Sequence, residues 1–275
     1  MKRTIILTLL LCMAVTASAQ FGRSGPERQP FARGAYGRGE FGERTLPKFP
    51  GLILDVDPSK GITKDGANNI SSVADQSGQG NDGTQGTAGR QPLWVDSQLS
   101  GYPIIRFDKS NDANDDGIFF TGMTSTAQSY TMIFVHKPVR TTGTAFGEYF
   151  MDIETDRFFF YHLWSDIVDN TGWVDSATQR DIVAAAGAGV WQTATYQFTK
   201  DGDGEFFRNG VSQGTDAVGN INIGDIISLG SRYETIGGNF RTYGGDMGRV
   251  LIWEGVLTSV ELTLVWDYLN NKYGL

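Results

Sequence analysis

The chain has one cysteine, two histidines and no long apolar run after its first residues, and each scarcity removes a class of explanation. The cysteine, Cys12, lies inside a leader-like segment, so the rest of the chain carries no thiol. An exported protein without disulfides must be held by its packed core, by bound ions, or by both. His136 and His162 stand in no HExxH pattern and beside no nucleophile motif, so hydrolase triads and histidine zinc sites lack parts. Each reads as a strand residue with a hydrogen-bonded ring. No stretch reaches the roughly 20 consecutive apolar residues that a membrane helix needs, and no internal repeat of useful length is visible.

The first residues speak to compartment. Lys2 and Arg3 precede an apolar run from Ile5 to Val15 and then Ala17-Ser18-Ala19. This is the pattern of a secretory signal peptide, residues 1–19, cut after Ala19. Leu9-Leu10-Leu11 lack the small residue that a lipidation site places before its cysteine, so Cys12 reads as part of the discarded leader. The expected location is secreted, periplasmic or cell-surface.

Charge is divided unevenly. Residues 1–48 hold eight of the 23 Lys/Arg but three of the 31 Asp/Glu, leaving 15 basic against 28 acidic residues, a net −13, in the remainder. Such a body repels nucleic acid and anionic membranes and suits divalent cations or neutral ligands. Residues 20–48 are rich in Gly and Arg with isolated aromatics (Phe21, Phe31, Tyr36, Phe41) and too few aliphatic residues to bury a face. They read as a disordered linker, a tether or a basic arm.

From Phe49 the texture becomes short apolar or alternating runs between Gly, Asn, Asp and Ser clusters. Candidate strands are Gly51–Asp55, Pro103–Phe107, Gly117–Phe120, Tyr130–Lys137, Glu148–Ile153, Arg157–Leu163, Trp191–Thr199, Glu205–Arg208, Asp225–Leu229 and Gly248–Trp253. Lys200-Asp201-Gly202-Asp203-Gly204 and Arg208-Asn209-Gly210 supply the positive φ that tight hairpins require. Thr258-Ser259-Val260-Glu261 has the spacing of a capping box, and Leu262, Val265, Trp266 and Leu269 recur at helical spacing until Gly274. The expected fold is all-β: an antiparallel two-sheet sandwich over residues 49–275 with one C-terminal helix.

Several blocks together resemble the laminin-G-like jelly-roll domain of the concanavalin A-like lectin/glucanase superfamily. They are Leu54-Asp55-Val56-Asp57, Val73 to Asp82, Arg90-Gln91-Pro92, Pro103 to Asp108, Trp191 with the hairpin ending Arg208-Asn209-Gly210-Val211, and Gly245 to Trp253 followed by Leu257-Thr258 and Glu261. The resemblance spans most of residues 49–275 and implies an exported jelly roll. Function is less determined, because that sandwich carries lectins, adhesins, glycosidases and lyases alike.

Three clusters carry candidate chemistry. Asp112-Ala113-Asn114-Asp115-Asp116-Gly117 places oxygen ligands at alternate positions before a glycine, as in the first half of a calcium loop. The twelfth position falls on Met123, so further ligands must come from elsewhere, with Asp108 the nearest. The expected Ca2+ ligands are Asp108, Asp112, Asn114 and Asp116; the competing reading is an acidic solvated loop. Asp152, Glu154 and Asp156 alternate along a strand and offer a carboxylate pair of the kind glycosidases use, though the run only approximates that motif. Tyr161, His162, Trp164 and Trp173 bracket a polar loop with Asp166, Asp169 and Asn170, a composition that holds sugars by ring stacking and hydroxyl hydrogen bonds. Core packing is the alternative for Trp164 and Trp173, and Trp94, Trp191, Trp253 and Trp266 read as core. Gly37 to Gly42 and Gly78 to Gly83 match the dinucleotide-loop spacing by accident, since neither joins a strand to a helix.

The function expected is a non-catalytic module that binds a glycan or a cell-surface or matrix protein, with calcium. The alternatives are a polysaccharide hydrolase using Asp152, Glu154 and Asp156, and a structural envelope or matrix component.

Overall fold

The computed structural model describes residues 45–108, 116–123, 125, 127, 129–139, 148–153, 158–163, 170–175, 178–183, 189–199, 202–218, 226–231 and 243–275, with backbone alone at 148–150, 158–163, 170–175 and 178–183. Among these are seventeen strands and one α-helix. In chain order they are β1 (Leu52–Val56), β2 (Ile62–Lys64), β3 (Ile70–Val73), β4 (Gly83–Thr84), β5 (Leu93–Leu99), β6 (Tyr102–Phe107), β7 (Ile118–Thr121), β8 (Ser129–Pro138) and β9 (Glu148–Ile153). Then follow β10 (Phe158–Leu163), β11 (Asn170–Asp175), β12 (Thr178–Val183), β13 (Gln192–Thr199), β14 (Asp203–Arg208), β15 (Val211–Ala217), β16 (Ile226–Leu229), β17 (Gly245–Glu254) and α1 (Ser259–Tyr273).

They form two antiparallel sheets. Sheet I runs β15-β14-β13-β8-β17-β6-β5, with β1 also paired to β17; sheet II runs β12-β11-β10-β9-β16-β7-β4-β3-β2. β6 pairs with the start of β17 (Gly245–Met247) and β1 with its later part (Val250–Trp253), so one long strand carries two partners on the same side. The sheets are stitched together at one margin, where Ile70 donates to the Pro92 carbonyl (2.8 Å) and Trp94 to that of Asn68 (2.9 Å).

The alternation of side chains decides what lies inside. Along β8, Tyr130, Met132 and Phe134 face sheet II, while Ile133 and Val135 face the other way. Along β17, Val250 and Ile252 face inward and Leu251 and Trp253 outward. Sheet I therefore has two apolar faces and needs a cover on each. Sheet II covers one; α1 covers the other through Leu262, Val265 and Leu269, joined by Leu46 and Phe49 from the chain before β1.

The helix begins and ends where its sequence signals stand. The Thr258 side chain accepts from the Glu261 backbone N–H, the Glu261 carboxylate accepts from the Thr258 N–H, and Gly274 closes the helix at φ 68°. Asn209 and Gly210, both at positive φ, join β14 to β15 as a two-residue hairpin. A side chain at Gly210 would also press on the Trp266 ring at 3.1 Å.

All ten sequence-derived strands have counterparts. The seven not anticipated (β2, β3, β4, β5, β11, β12 and β15) are short or polar, and their pairing is set by neighbours rather than by their own pattern.

Candidate functional site

Four of the seven sugar-binding candidates, Tyr161, His162, Asn170 and Trp173, fall on the β10–β11 hairpin of sheet II. β10 reads FFFYHL, a run of aromatic residues suited to a pleated surface, and carries Tyr161 and His162; β11 reads NTGWVD and carries Asn170 and Trp173. The strands are antiparallel, so they do bracket the intervening chain. Trp164, Asp166 and Asp169 in that connection lie outside the described residues. Asn170, expected in the loop, instead opens β11, because its backbone pairs with Val183.

The register sorts these residues into rows. Trp173 pairs with Phe160, Phe160 with Met151, and Met151 with Leu229, so Trp173 shares a cross-strand row with two fully buried core residues. Tyr161 pairs with Gly172, one row along. Tyr161 and Trp173 therefore do not share a row, and strand pleating assigns adjacent rows to opposite faces.

A second row crosses the outward face of sheet II. It contains Val174, Phe159, Asp152, Ser228, Phe119, Thr84 and Ser72. Asp152 alternates with the core residues Met151 and Ile153, yet it is 3% exposed, and its cross-strand neighbour Ser228 is fully buried, donating to the Ser231 carbonyl at 2.5 Å. Asp152 thus has Ser228 and Phe159, not a second carboxylate, beside it in the sheet; Glu154 and Asp156 lie outside the described residues.

The calcium candidates divide likewise. Asp108 and Asp116 stand at the two ends of one loop and are joined, the Asp108 N–H donating to Asp116 Oδ2 at 2.8 Å. Beyond Asp116 the chain is pinned twice, by Gly117 donating to the Arg90 carbonyl (3.1 Å) and by Gln85 Nε2 donating to the Gly117 carbonyl (2.8 Å). Asp112 and Asn114 lie outside the described residues. Among the described residues no three His, Cys, Asp or Glu side chains gather as a metal site would require.

His136 is a buried strand residue with both ring nitrogens engaged, Nδ1 with the Tyr243 hydroxyl (3.0 Å) and Nε2 with the Gln192 amide (3.2 Å). The Val73 to Asp82 block proves to be a clamp. Asp75 Oδ1 accepts from the backbone N–H groups of Asp55 (2.9 Å) and Ser77 (2.8 Å), and Asn81 Nδ2 donates to the Ile53 carbonyl (2.7 Å). Those polar residues fasten a surface loop to β1.

The sequence reading did not anticipate a buried charge cluster. Arg249 meets Asp55 and Asp57, and Lys272 reaches Asp57 at 3.3 Å, with every side chain at most 6% exposed. Burial raises the Asp55 carboxyl above its ordinary value against the pull of Arg249. Burial acts the same way on Asp57, but Arg249, the Ser59 hydrogen bonds and Lys272 outweigh it and leave that carboxyl low. The sequence signal was available: one arginine in the otherwise apolar stretch Met247 to Trp253.

No family model matches the chain, and no curated protein matches it significantly in sequence. Solved structures do share its fold. Domain 4 of an extracellular arabinanase of glycoside hydrolase family 43 from Geobacillus stearothermophilus, solved with arabinotriose, superposes with a TM-score of 0.56 at 16% identity, over 79% of this chain and 98% of that domain. The binding domain of botulinum neurotoxin DC, in complex with rat synaptotagmin II, gives 0.58 at 13% identity, over 80% of this chain. The binding domain of Paraclostridial mosquitocidal protein 1 gives 0.55 at 14% identity. The chain spans about half the length of those two binding domains, 52% and 53%. The shared feature is a lectin-like β-sandwich.

Proposed function

We propose that the chain is an exported, non-catalytic glycan-binding module of the laminin-G-like type, directed across the membrane by its signal peptide and borne on the Gly/Arg-rich linker 20–48. The observation that carries this reading is the match, over 98% of its length, to an arabinanase domain solved with a bound arabino-oligosaccharide. The aromatic β10–β11 hairpin supplies the stacking chemistry such a ligand needs, with Tyr161, one row from Trp173 and so on the face opposite the core row, and with Trp164, Asp166 and Asp169 as its contact set. Calcium, held by Asp108, Asp112, Asn114 and Asp116, stiffens the segment that these residues span. The catalytic alternative draws little support, because two of the neighbours named are binding domains and the row of Asp152 contributes no second carboxylate among the described residues.

A surface-protein partner is the second reading. It is favoured by the neurotoxin binding domain captured with synaptotagmin II. Glycan-array binding by the purified chain, repeated with Tyr161→Ala, tests the first reading: saturable binding to a glycan that the variant loses supports it, and binding to a cell-surface protein with no glycan retained supports the second.

A further inference from the structure

Among the described residues, α1 does not cover the outer face of sheet I to its end. The helix reaches as far as Gly248, whose carbonyl accepts from the Tyr273 hydroxyl at 3.3 Å. Beyond that level lies a row set by strand register: Leu93 pairs with Arg106, Arg106 with Asp246, and Asp246 with Lys137. Trp191 immediately precedes β13, whose first residue pairs with His136, and its ring lies 5.2 Å from Lys137 Nζ. The row thus reads apolar, cation, anion, cation, aromatic across five neighbouring strands.

Its charges are unequal in burial and in number. Asp246 is 1% exposed, while the Arg106 and Lys137 side chains are 39% and 20% exposed. Arg106 binds the carboxylate side-on, through Nε at 2.7 Å and Nη2 at 3.2 Å, and Lys137 Nζ binds it at 2.7 Å. Two cations thus face one buried carboxylate, and Asp108, two residues beyond Arg106, also acts on the guanidinium from the exposed end of the strand. Among the described residues Arg106 Nη1 makes no hydrogen bond or ion pair. A guanidinium held rigidly by one carboxylate is pre-oriented to receive another on its open edge, because its fork matches a planar carboxylate.

We propose that this row, Leu93, Arg106, Asp246, Lys137 and Trp191, is a second binding site that takes carboxylate-bearing glycans. The two cations reach the Asp246 carboxylate from the strands on either side of it and together address acidic groups on a chain lying across the strands. Leu93 and half-buried Trp191 at the two ends provide apolar surface for the faces of sugar rings. Choosing a glycan over an acidic peptide rests on the glycan-binding reading above; the cationic row does not.

The test is a titration of the full mature chain with tri-galacturonic acid and with its fully methyl-esterified form, at low and at physiological salt. The acid is expected to bind at least fivefold more tightly than the ester, with the difference shrinking as salt rises. Lys137→Met and Arg106→Gln each leave the other cation on Asp246, so the buried carboxylate stays paired. Each is expected to weaken the acid at least fivefold, to leave the ester unchanged, and to keep the melting temperature. Equal affinity for acid and ester in the unsubstituted chain overturns the proposal whether or not the variants fold. Unchanged acid binding by a folded variant also overturns it, and so does an oligoglutamate that binds as tightly as the oligouronate. Neutral-glycan binding, which Tyr161→Ala addresses, is read separately, so failure of that reading is distinguishable from failure here.

Discussion

Arg249 and Asp55, 194 residues apart, meet in a two-point ion pair inside the fold, Nε to Oδ1 at 2.7 Å and Nη2 to Oδ2 at 2.8 Å. The same guanidinium reaches Asp57 through Nη1, and Lys272 near the end of α1 completes the group. β1, β17 and the helix are thereby fastened at one point, and the described residues hold no cysteine. Arg249→Met leaves two buried carboxylates without their shared partner, an imbalance that costs about 3–5 kcal/mol. Denaturant unfolding measures it, and a loss below about 1 kcal/mol would contradict a structural role for the cluster.

Acid should loosen this fastening through Asp57. Its folded-state carboxyl lies below the usual 3.8, so the group contributes stability that is present above pH 3.8 and is lost as pH falls through the lower folded value. Asp55 shifts the opposite way, so the whole protein's profile mixes both signs. The comparison with Asp57→Asn isolates one of them: the variant's stability is expected to depend less steeply on pH below 3.8 than that of the parent. Parallel acid-unfolding profiles would refute this.

The helix cap is a smaller, separable contribution. Thr258 and Glu261 satisfy each other's backbone N–H groups at the exposed start of α1. Thr258→Ala is expected to cost about 1 kcal/mol. Thermal melting with circular dichroism reads it, and a change within error would mean that packing of Leu262, Val265 and Leu269 alone fixes the helix start.

Calcium gives a direct prediction for the Asp108–Asp116 loop. Millimolar calcium is expected to raise the melting temperature and excess chelator to reverse the rise, because a ligand that binds only the native state stabilises it. Asp116→Asn should abolish the shift. No shift in the parent protein would remove calcium from the account.

What the sequence disclosed follows from physical range. The capping box, the Asn209-Gly210 hairpin and the apolar strands were legible because each is encoded within a few residues. β11 and β12 were not, because NTGWVD and TQRDIV have no clear alternation and owe their pairing to β10. The candidate site shows the same limit. Tyr161, His162, Asn170 and Trp173 do fall on one hairpin, but the row each occupies depends on register with β9 and β16, which no local pattern announces. Arg249 was visible as an oddity in β17; its partners, Asp55 and Asp57, lie almost the whole domain away.

The proposed glycan site lies on the β10–β11 hairpin of this sandwich, on the face of Tyr161. Isothermal titration of the mature chain with arabinotriose and with the neutral glycans retained on an array probes it, with Tyr161→Ala run alongside. The account predicts saturable binding to at least one of them, weakened about tenfold, or about 1.4 kcal/mol, in a variant whose melting temperature is unchanged. Binding that is undiminished in the folded variant, or no binding to any neutral glycan, would contradict it.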